Sequence, residues 1–359
     1  MGYRILVINP GSTSTKVAVF DGEERVLQET LRYTPEQLQG FGWIMDQASF
    51  RRSSVEAILQ KEGVVLSSLS AVCARGGMLP PCRSGAYRVD EQMVDYMYGI
   101  VQGAHASNLG CVIAYGMAQS LHIPAFVYDP VSVDEMPEEA RITGLPELPR
   151  RMMGHALNTR AMALRCAREV LHRPLEDCRL IVLHMGGGAS VRLFIGGRMV
   201  DNVRDDELLF APERCGGLDA EGLVHLCYSG RYTEKELMKL VRGKGGLMAH
   251  LGTNDAVEVE RRMAAGDERA RQVYDAMLYT ACKSIGALAA AAGGGIDRII
   301  LTGGIAHSAY ADHYITKRVQ FIAPVEVMAG EFEMEALAGG ACRVLSGEEE
   351  ARDFSSLTL

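Results

Sequence analysis

Two apolar runs in this chain are each followed by a short turn of glycine and small polar residues, and then by a second apolar run. The first pattern spans residues 5–20 and the second spans 180–195. Gly11 in the first turn corresponds to Gly186 in the second, an offset of 186 minus 11, or 175 residues, in a chain of 359. This repeat predicts a duplicated α/β unit, with two strand-turn-strand hairpins that face each other across a cleft.

Both turns have the composition of a phosphate-binding loop. Gly11 and the three glycines at 186–188 let backbone N–H groups approach an anion without a Cβ in the way. The first turn also carries polar and cationic groups that suit a phosphate, on Asn9, Ser12, Ser14 and Lys16. It is not a Walker A loop, because no Gly-Lys-Ser/Thr follows at the required spacing and residues 17–20 indicate a strand.

The remaining periodicity predicts alternating helices and strands. A proline-containing loop at 136–149 is the expected crossing between two domains, 1–150 with a C-terminal helix of about 337–359, and 151–336. We predict strands at 70–74, 125–128 and 298–302, an irregular segment at 201–219, and helices at 53–61, 90–102, 109–121, 155–171, 220–228, 234–241, within 258–292 and from about Met334.

Composition excludes several classes of protein. A net charge of -8 argues against a general nucleic-acid surface. The nine cysteines are odd in number and include no Cys-x-x-Cys pair, which argues against zinc sites and disulfide frameworks and favours the cytoplasm. The longest small-residue apolar run, 285–296, is shorter than the ~20 residues that a membrane span requires. We therefore expect a protein without nucleic-acid or membrane partners.

Several short segments, taken in order, match one known family. They are 9–16 (Asn-Pro-Gly-Ser-Thr-Ser-Thr-Lys), Arg75-Gly76-Gly77, His105-Ala106-Ser107-Asn108-Leu109-Gly110, Asp129-Pro130-Val131, His155-Ala156-Leu157-Asn158, 184–190 (His-Met-Gly-Gly-Gly-Ala-Ser), Pro212-Glu213-Arg214, 303–308 (Gly-Gly-Ile-Ala-His-Ser) and 330–338.

By these segments the chain resembles the butyrate kinase branch of the acetate kinase family, within the sugar kinase, Hsp70 and actin superfamily. The resemblance implies an α/β fold of two duplicated actin-like (ribonuclease H-like) ATPase domains with a nucleotide cleft between them. It also implies reversible transfer of the ATP γ-phosphoryl group to a short-chain carboxylate, with Mg²⁺ and in a homo-oligomer. The alternatives are an acetate or propionate kinase, and a non-catalytic nucleotide-binding protein of the same superfamily.

The resemblance also implies roles for the matching charged residues. Arg75 and Arg214 would bind the acid and the transferring phosphoryl group, because guanidinium forks match both anions. His155 and His184 would donate to that group, and His184 occupies the repeat position of Asn9. A carboxylate nucleophile is already ionised near pH 7, so Asp129 is expected to hold magnesium or its water, or to position other groups, rather than to act as a base.

The same comparison implies residues for the nucleotide, the metal and the acid. Nucleotide contacts are expected from Gly186, Gly187, Gly188, Asp255, Gly303, Gly304 and Ile305, although Asp255 could equally cap a helix. The second carboxylate at the metal is either Glu333 or Glu335. The acid is expected at Arg75, Gly77, His105 and Gly154, where the small residues Gly77, Ala104 and Gly154 would leave space for an alkyl tail. Butyrate or a branched acid is therefore expected to be preferred over acetate. The segment 202–209, Cys215 and Asp219 depart from the family pattern.

Overall fold

The computed structural model describes residues 2–100 and 105–357, so the predicted positions Gln102 and Ala104 lie outside the described residues. Internal contacts divide the chain into two compact units. Unit 1 comprises Met1–Asp134 and Phe332–Leu359, and unit 2 comprises Glu135–Glu331. The proline-containing segment 136–149 lies at the start of unit 2. The predicted limits at 150 and about 337 remain a prediction.

Unit 1 contains a six-stranded sheet, in the order β3-β2-β1-β4-β6-β5. Its first three strands form an antiparallel meander, and β1, β4 and β6 are parallel neighbours. The side chains of residues 5–8 in the central strand are fully buried, as expected for a continuous apolar run. The strands are β1 Arg4–Pro10, β2 Ser14–Asp21, β3 Glu24–Arg32, β4 Ala71–Arg75, β5 Ala86–Arg88 and β6 Ala125–Tyr128.

Unit 2 contains a five-stranded sheet in the order β11-β10-β7-β8-β9. Read from the antiparallel meander outward, this order repeats that of β3-β2-β1-β4-β6 in unit 1, with the same strand directions. The predicted duplication of an α/β unit is therefore confirmed. The strands are β7 Arg179–Met185, β8 Ala189–Ile195, β9 Arg198–Arg204, β10 Arg298–Gly303 and β11 Val325–Ala329.

Helices pack on both sheets: residues 108–121 and 333–346 contact the first sheet, and residues 156–166 and 268–291 contact the second. In chain order the helices are α1 Pro35–Leu38, α2 Ala48–Lys61, α3 Glu91–Gly99, α4 Asn108–Leu121, α5 Glu138–Arg141, α6 Ala156–Cys166, α7 Ala220–Cys227, α8 Glu234–Val241, α9 Gly246–Leu251, α10 Ala256–Ala264, α11 Glu268–Ala291, α12 Ala309–Val319 and α13 Glu333–Ser346. A π turn at Ala167–Leu171 extends α6. Within the described residues, no helix is long and apolar enough to cross a membrane.

The prediction of an irregular segment from residue 201 was wrong for its first four residues, 201–204. Strand β9 continues to Arg204 because its backbone pairs with β8. Strand β3 was also not predicted, since its exposed and half-buried positions lack a continuous apolar run. Strands β5 and β11 and helix α12 were missed as well. Asp219, unexpected from the family pattern, caps α7 by accepting from the N–H of Gly222 at 2.7 Å.

Candidate active site

The first predicted phosphate turn connects β1 and β2. Asn9 pairs with Lys16 and Pro10 with Thr15 across the hairpin, and the N–H of Gly11 donates to the carbonyl of Ser14 at 2.8 Å. Asn9 is buried and Lys16 is exposed. The sequence pattern thus places a small polar turn at the carboxyl end of a buried central strand, which is where ligands bind in α/β sheets.

Arg51 of helix α2 binds the backbone of this turn, and no role was predicted for it from the sequence. Its fully buried guanidinium donates to the carbonyls of Gly11 (2.7 Å), Ser12 (2.8 Å) and Ser14 (3.0 Å). Gln47 accepts two further bonds from the same group, which also stacks on Tyr33. A signal was present, because Arg51 occupies the apolar stripe of α2 formed by buried positions 48, 51, 55 and 59.

The structure distinguishes the two glutamates that the sequence left open. Glu333 Oε2 accepts from Asn9 Nδ2 at 2.7 Å and lies 3.3 Å from a terminal nitrogen of Arg75. Its side chain is 12% exposed. Glu335 instead pairs with Arg25 at 3.0 Å, and its side chain is 39% exposed. Only Glu333 therefore contacts other candidate site residues through these bonds.

Asp129 has an unusual backbone conformation at the end of β6. Its φ is +42°, although it is not glycine and is followed by Pro130. The carboxylate is buried, and Oδ1 accepts from the N–H of Gly85 at 2.7 Å. Such strain persists only where the surrounding structure fixes it, and it is concentrated at functional sites. The geometry thus supports a functional role for Asp129.

His105 lies immediately before helix α4. Its Nδ1 accepts from the N–H of Ser107 at 3.2 Å, which leaves the ring proton of the neutral form on Nε2. Desolvation of the ring and the nearby Arg75 guanidinium both lower the pKa of His105. A neutral His105 can therefore donate a hydrogen bond without adding charge.

The two glycines predicted to enlarge the acid pocket have backbone reasons of their own. A Cβ on Gly77 would lie 2.7 Å from the Cα of Asn108, so this glycine permits close approach of α4. Gly154 has a φ of +124°, a conformation that side chains rarely adopt. Close packing and backbone conformation are therefore sufficient reasons for glycine at these two positions. Their contact with the alkyl tail of the acid remains a prediction.

The second turn, 186–188, connects β7 and β8. Gly186 N–H donates to the carbonyl of Gly188 at 2.8 Å, and Glu213 N–H donates to that of Gly187 at 3.2 Å. His184 is the next-to-last residue of the preceding strand and stacks on His155, with ring centroids 4.0 Å apart and planes at 18°. His155 Nδ1 lies 3.0 Å from Ser190 Oγ. The two predicted histidines are therefore neighbours beside this turn.

Arg214 is held next to the same turn by two carboxylates. Its Nε is 3.8 Å from Asp205 Oδ2, and a terminal nitrogen is 3.7 Å from Glu213 Oε2. Asp205 also accepts from the N–H of Ala189 at 3.0 Å, and burial raises its pKa. Asp205 belongs to the segment that departs from the family pattern, and no role was predicted for it from the sequence. It positions Arg214 toward the turn.

A cavity of about 460 Å³ opens beside the second turn and lies wholly within unit 2. Asp255 lines this cavity. It also caps α10, because its carboxylate accepts from the N–H of Val257 at 2.9 Å. The helix cap is therefore compatible with the predicted nucleotide contact. No atom lies within 4 Å of where a Cβ of Gly304 would be, which leaves that backbone open to a ligand. Gly303 is required by packing, since a side chain there would collide with Met185. The lining comprises Gly186, Gly187, Pro212, 254–257, Glu260, Gly304, Ile305, His307, Ser308 and Glu331.

Comparison with known proteins identifies the family. The acetokinase family model matches residues 124–340. Butyrate kinase 2 of Clostridium acetobutylicum is 46% identical over 356 residues, which cover 99% of this chain and 100% of that protein. A probable butyrate kinase of Clostridium botulinum is 45% identical with the same coverage. The chain belongs to the acetokinase family. The predicted resemblance is confirmed.

Solved structures of acetokinase relatives agree with the fold. Porphyromonas gingivalis acetate kinase matches with a TM-score of 0.79 at 19% identity, over 96% of this chain and 100% of that chain. A propionate kinase from Francisella tularensis matches with a TM-score of 0.74 at 16% identity, over 94% and 98%. The predicted α/β fold of two duplicated actin-like units is confirmed.

As a member of the acetokinase family, the chain carries its predicted residues in two groups. Unit 1 brings Asn9, Arg75 and Glu333 together, with His105 near Arg75. Unit 2 brings His155, His184 and Arg214 together around the glycine turn. The described residues hold no cluster of three or more His, Cys, Asp or Glu side chains able to bind a metal ion.

Proposed function

We propose that this chain transfers the γ-phosphoryl group of ATP to butyrate or a branched short-chain carboxylate, giving an acyl phosphate and ADP, and that it also runs the reverse reaction. The observation that carries the proposal is the continuity between the cavity and the second turn. Gly186 and Gly187 line the cavity, so we expect a nucleotide bound there to place its phosphates at the turn, beside His184. The 46% identical relative is named a butyrate kinase, and this identity supports the choice of acid.

The reaction requires positioning and neutralisation of charge rather than a base. A carboxylate oxygen of the acid attacks the γ-phosphorus, the new O–P bond forms, and the bond to the β-phosphate oxygen breaks with its electrons passing to ADP. The carboxylate is ionised near neutral pH, so no proton must be removed. Arg75 and Arg214 neutralise the acid and the phosphoryl oxygens, and His155 and His184 donate hydrogen bonds to the transferring group.

Magnesium is part of the proposal, and the residues fit it. Mg²⁺ prefers oxygen ligands and is commonly held by one or two carboxylates together with water and phosphate oxygens. Asp129 and Glu333 are the carboxylates that would hold the ion, and each is anchored by a hydrogen bond, Asp129 from the N–H of Gly85 and Glu333 from the side chain of Asn9. When bound, the ion neutralises charge on the nucleotide phosphates.

The hydroxamate assay tests this function, because hydroxylamine traps an acyl phosphate directly. Purified protein is supplied with ATP, Mg²⁺ and each straight or branched acid from two to six carbons. We expect product from butyrate or isobutyrate with a higher kcat/KM than from acetate, since each buried methylene is worth ~1 to 3 kcal/mol of discrimination. Acetate as the best acid would indicate an acetate kinase. No product from any acid, with folded protein that binds ATP, would indicate a non-catalytic nucleotide-binding protein.

We also propose a homo-oligomer in the cytoplasm. Helices α7 and α8 contain no buried residue, yet they and their flanks expose Val224, Tyr228 and Met238. An apolar surface of this kind favours contact with a second copy of the chain. Light scattering after size-exclusion chromatography would test it. We expect an oligomer for the native protein and a monomer for Tyr228→Glu, and a monomeric native protein would contradict the proposal.

A further inference from the structure

The buried His184 ring has a defined partner on the side that faces away from the second turn. His184 Nδ1 lies 2.9 Å from Nδ2 of Asn158, a fully buried residue of helix α6. The other ring nitrogen, Nε2, lies 3.4 Å from the position that a Cβ on Gly186 would take. Nδ1 is therefore held by the protein core, and Nε2 faces the glycine turn.

A chain of hydrogen bonds fixes the direction of the Asn158 amide. The Thr302 hydroxyl donates to the carbonyl of Gly330 at 3.1 Å, so the same oxygen accepts from Asn158 Nδ2 at 3.2 Å. An amide nitrogen only donates, and here it faces both Thr302 Oγ1 and His184 Nδ1. Nδ1 must then accept. The opposite orientation of the amide would require the Thr302 hydroxyl to leave the Gly330 carbonyl.

We propose that Asn158 is a positioning residue that keeps the proton of neutral His184 on Nε2. This inference rests on the proposed function, in which His184 donates to the transferring phosphoryl group. With the proton on Nε2, the neutral ring presents an N–H to that anion. With the proton on Nδ1, the same ring would present a lone pair and repel it. Asn158 and Thr302 thus convert a histidine of either tautomer into a dedicated donor.

Other charged or titratable groups of unit 2 surround His184 and bear on its protonation. His155 stacks on its face. Glu331 Oε1 lies 3.9 Å from the Cβ position of Gly186. Asp205, His155 and Arg214 all lie within 4 Å of the position that a Cβ on Gly188 would take. A change of pH acts on these groups too, so the test compares variants at Asn158 and Thr302 with the native protein under the same conditions.

The first test is Asn158→Asp, which keeps the shape of the side chain but replaces the donor with an acceptor. Long-range ¹H–¹⁵N NMR of histidine-labelled protein reports the tautomer, with His184→Gln used to assign the signal. We expect Nε2–H in the native protein and a protonated Nδ1 in the variant. Acyl phosphate formation by the variant should fall roughly 10²-fold at pH 8, as when a donor to developing charge is lost. It should recover in part toward pH 6, because a doubly protonated ring regains Nε2–H, whereas the native enzyme should show no such gain.

The second test is Thr302→Val, which serves if Asn158→Asp does not fold. Removing the hydroxyl releases the amide, so we expect a mixture of His184 tautomers, while Thr302→Ser should retain Nε2–H. A native His184 with its proton on Nδ1 would overturn the inference. Variants that leave both the tautomer and the pH profile unchanged would also overturn it. A tautomer that changes without any loss of turnover would overturn its catalytic part. The NMR result stands even if the native protein makes no acyl phosphate, so failure of the proposed function is separately visible.

Discussion

The guanidinium of Arg51 donates a hydrogen bond to the carbonyl oxygen of Gly11 at 2.7 Å. A second bond reaches the carbonyl of Ser12 at 2.8 Å. Because a trans peptide points its C=O and N–H in opposite directions, these bonds turn the N–H groups of Ser12 and Thr13 away from Arg51. Arg51 therefore fixes the orientation of the N–H groups in the turn that is predicted to bind phosphate.

Replacing Arg51 with methionine should disturb both this turn and the stability of the chain. We expect the KM for ATP to rise about 10-fold or more, because the turn loses its fixed shape. A 10-fold rise corresponds to ~1.4 kcal/mol of binding free energy. The free energy of unfolding should fall by about 3 kcal/mol, because the buried carbonyls and Gln47 lose their donor. Urea unfolding and ATP titration of the initial rate measure the two effects.

Arg52→Met is the matched control for this prediction. Arg52 is the next residue of the same helix and forms an i,i+4 ion pair with Glu56 at 2.7 Å near the surface. Such pairs contribute ~0.3 to 0.5 kcal/mol to the free energy of unfolding. Because Arg52 makes this surface pair instead of bonds to the turn, Arg52→Met should leave the KM for ATP unchanged. Equal effects of Arg51→Met and Arg52→Met would show that the buried contacts of Arg51 do not shape the site.

Glu333→Gln and Glu335→Gln should behave differently. Glu333 contacts Asn9 and Arg75, whereas Glu335 forms an exposed pair with Arg25. We expect Glu333→Gln to lower kcat about 10²-fold and to require more Mg²⁺ for half-maximal rate, because a carboxylate ligand is lost. Glu335→Gln should stay within about 2-fold of the native enzyme, since exposed ion pairs contribute little. Magnesium titrations of acyl phosphate formation make the comparison, and the reverse result would reassign the carboxylate.

Arg75→Ala and Arg214→Ala should each lower kcat by roughly 10² to 10⁴, because each removes a donor to developing phosphoryl charge. ADP affinity measured by calorimetry should stay nearly unchanged. Arg25→Ala, which removes an arginine exposed on the surface of unit 1, is the control and should retain turnover. Loss of ADP binding in Arg75→Ala would contradict its assignment to the acid.

His105 should make the stability of the chain depend on pH. Its folded-state pKa is lowered by desolvation and by Arg75, so on acidification the unfolded state takes up a proton first, below about pH 6.5. The free energy of unfolding that this neutral ring contributes is present above that pH and is lost as the pH falls. We therefore expect native protein to lose stability relative to His105→Gln between pH 7 and pH 5. Urea unfolding at several pH values measures the difference, and a constant difference would exclude this role.

Much of the fold follows from local sequence. The strand at 125–128 and the helix at 234–241 were predicted with the bounds that the structure shows. The two hairpins followed from apolar runs whose residues are buried on both faces of a sheet. Strand β3 was missed because it is an edge strand without a continuous apolar run, so its pairing with β2 decides its conformation.

The sequence by itself determined the duplicated architecture, the two glycine turns and the family, because these depend on periodicity and on short segments in a fixed order. Only the tertiary structure showed that Glu333, and not Glu335, contacts Asn9, since Asn9 and Glu333 are 324 residues apart and meet through packing of α13 on the first sheet. The roles inferred for Arg51, Asn158 and Asp205 arose in the same way. Arg51 is visible in the sequence as a charged residue in the apolar stripe of α2, but its partners are not. The chemistry of all three residues depends on which carbonyl, ring nitrogen or guanidinium lies within about 3 to 4 Å, and the sequence does not show which distant groups meet.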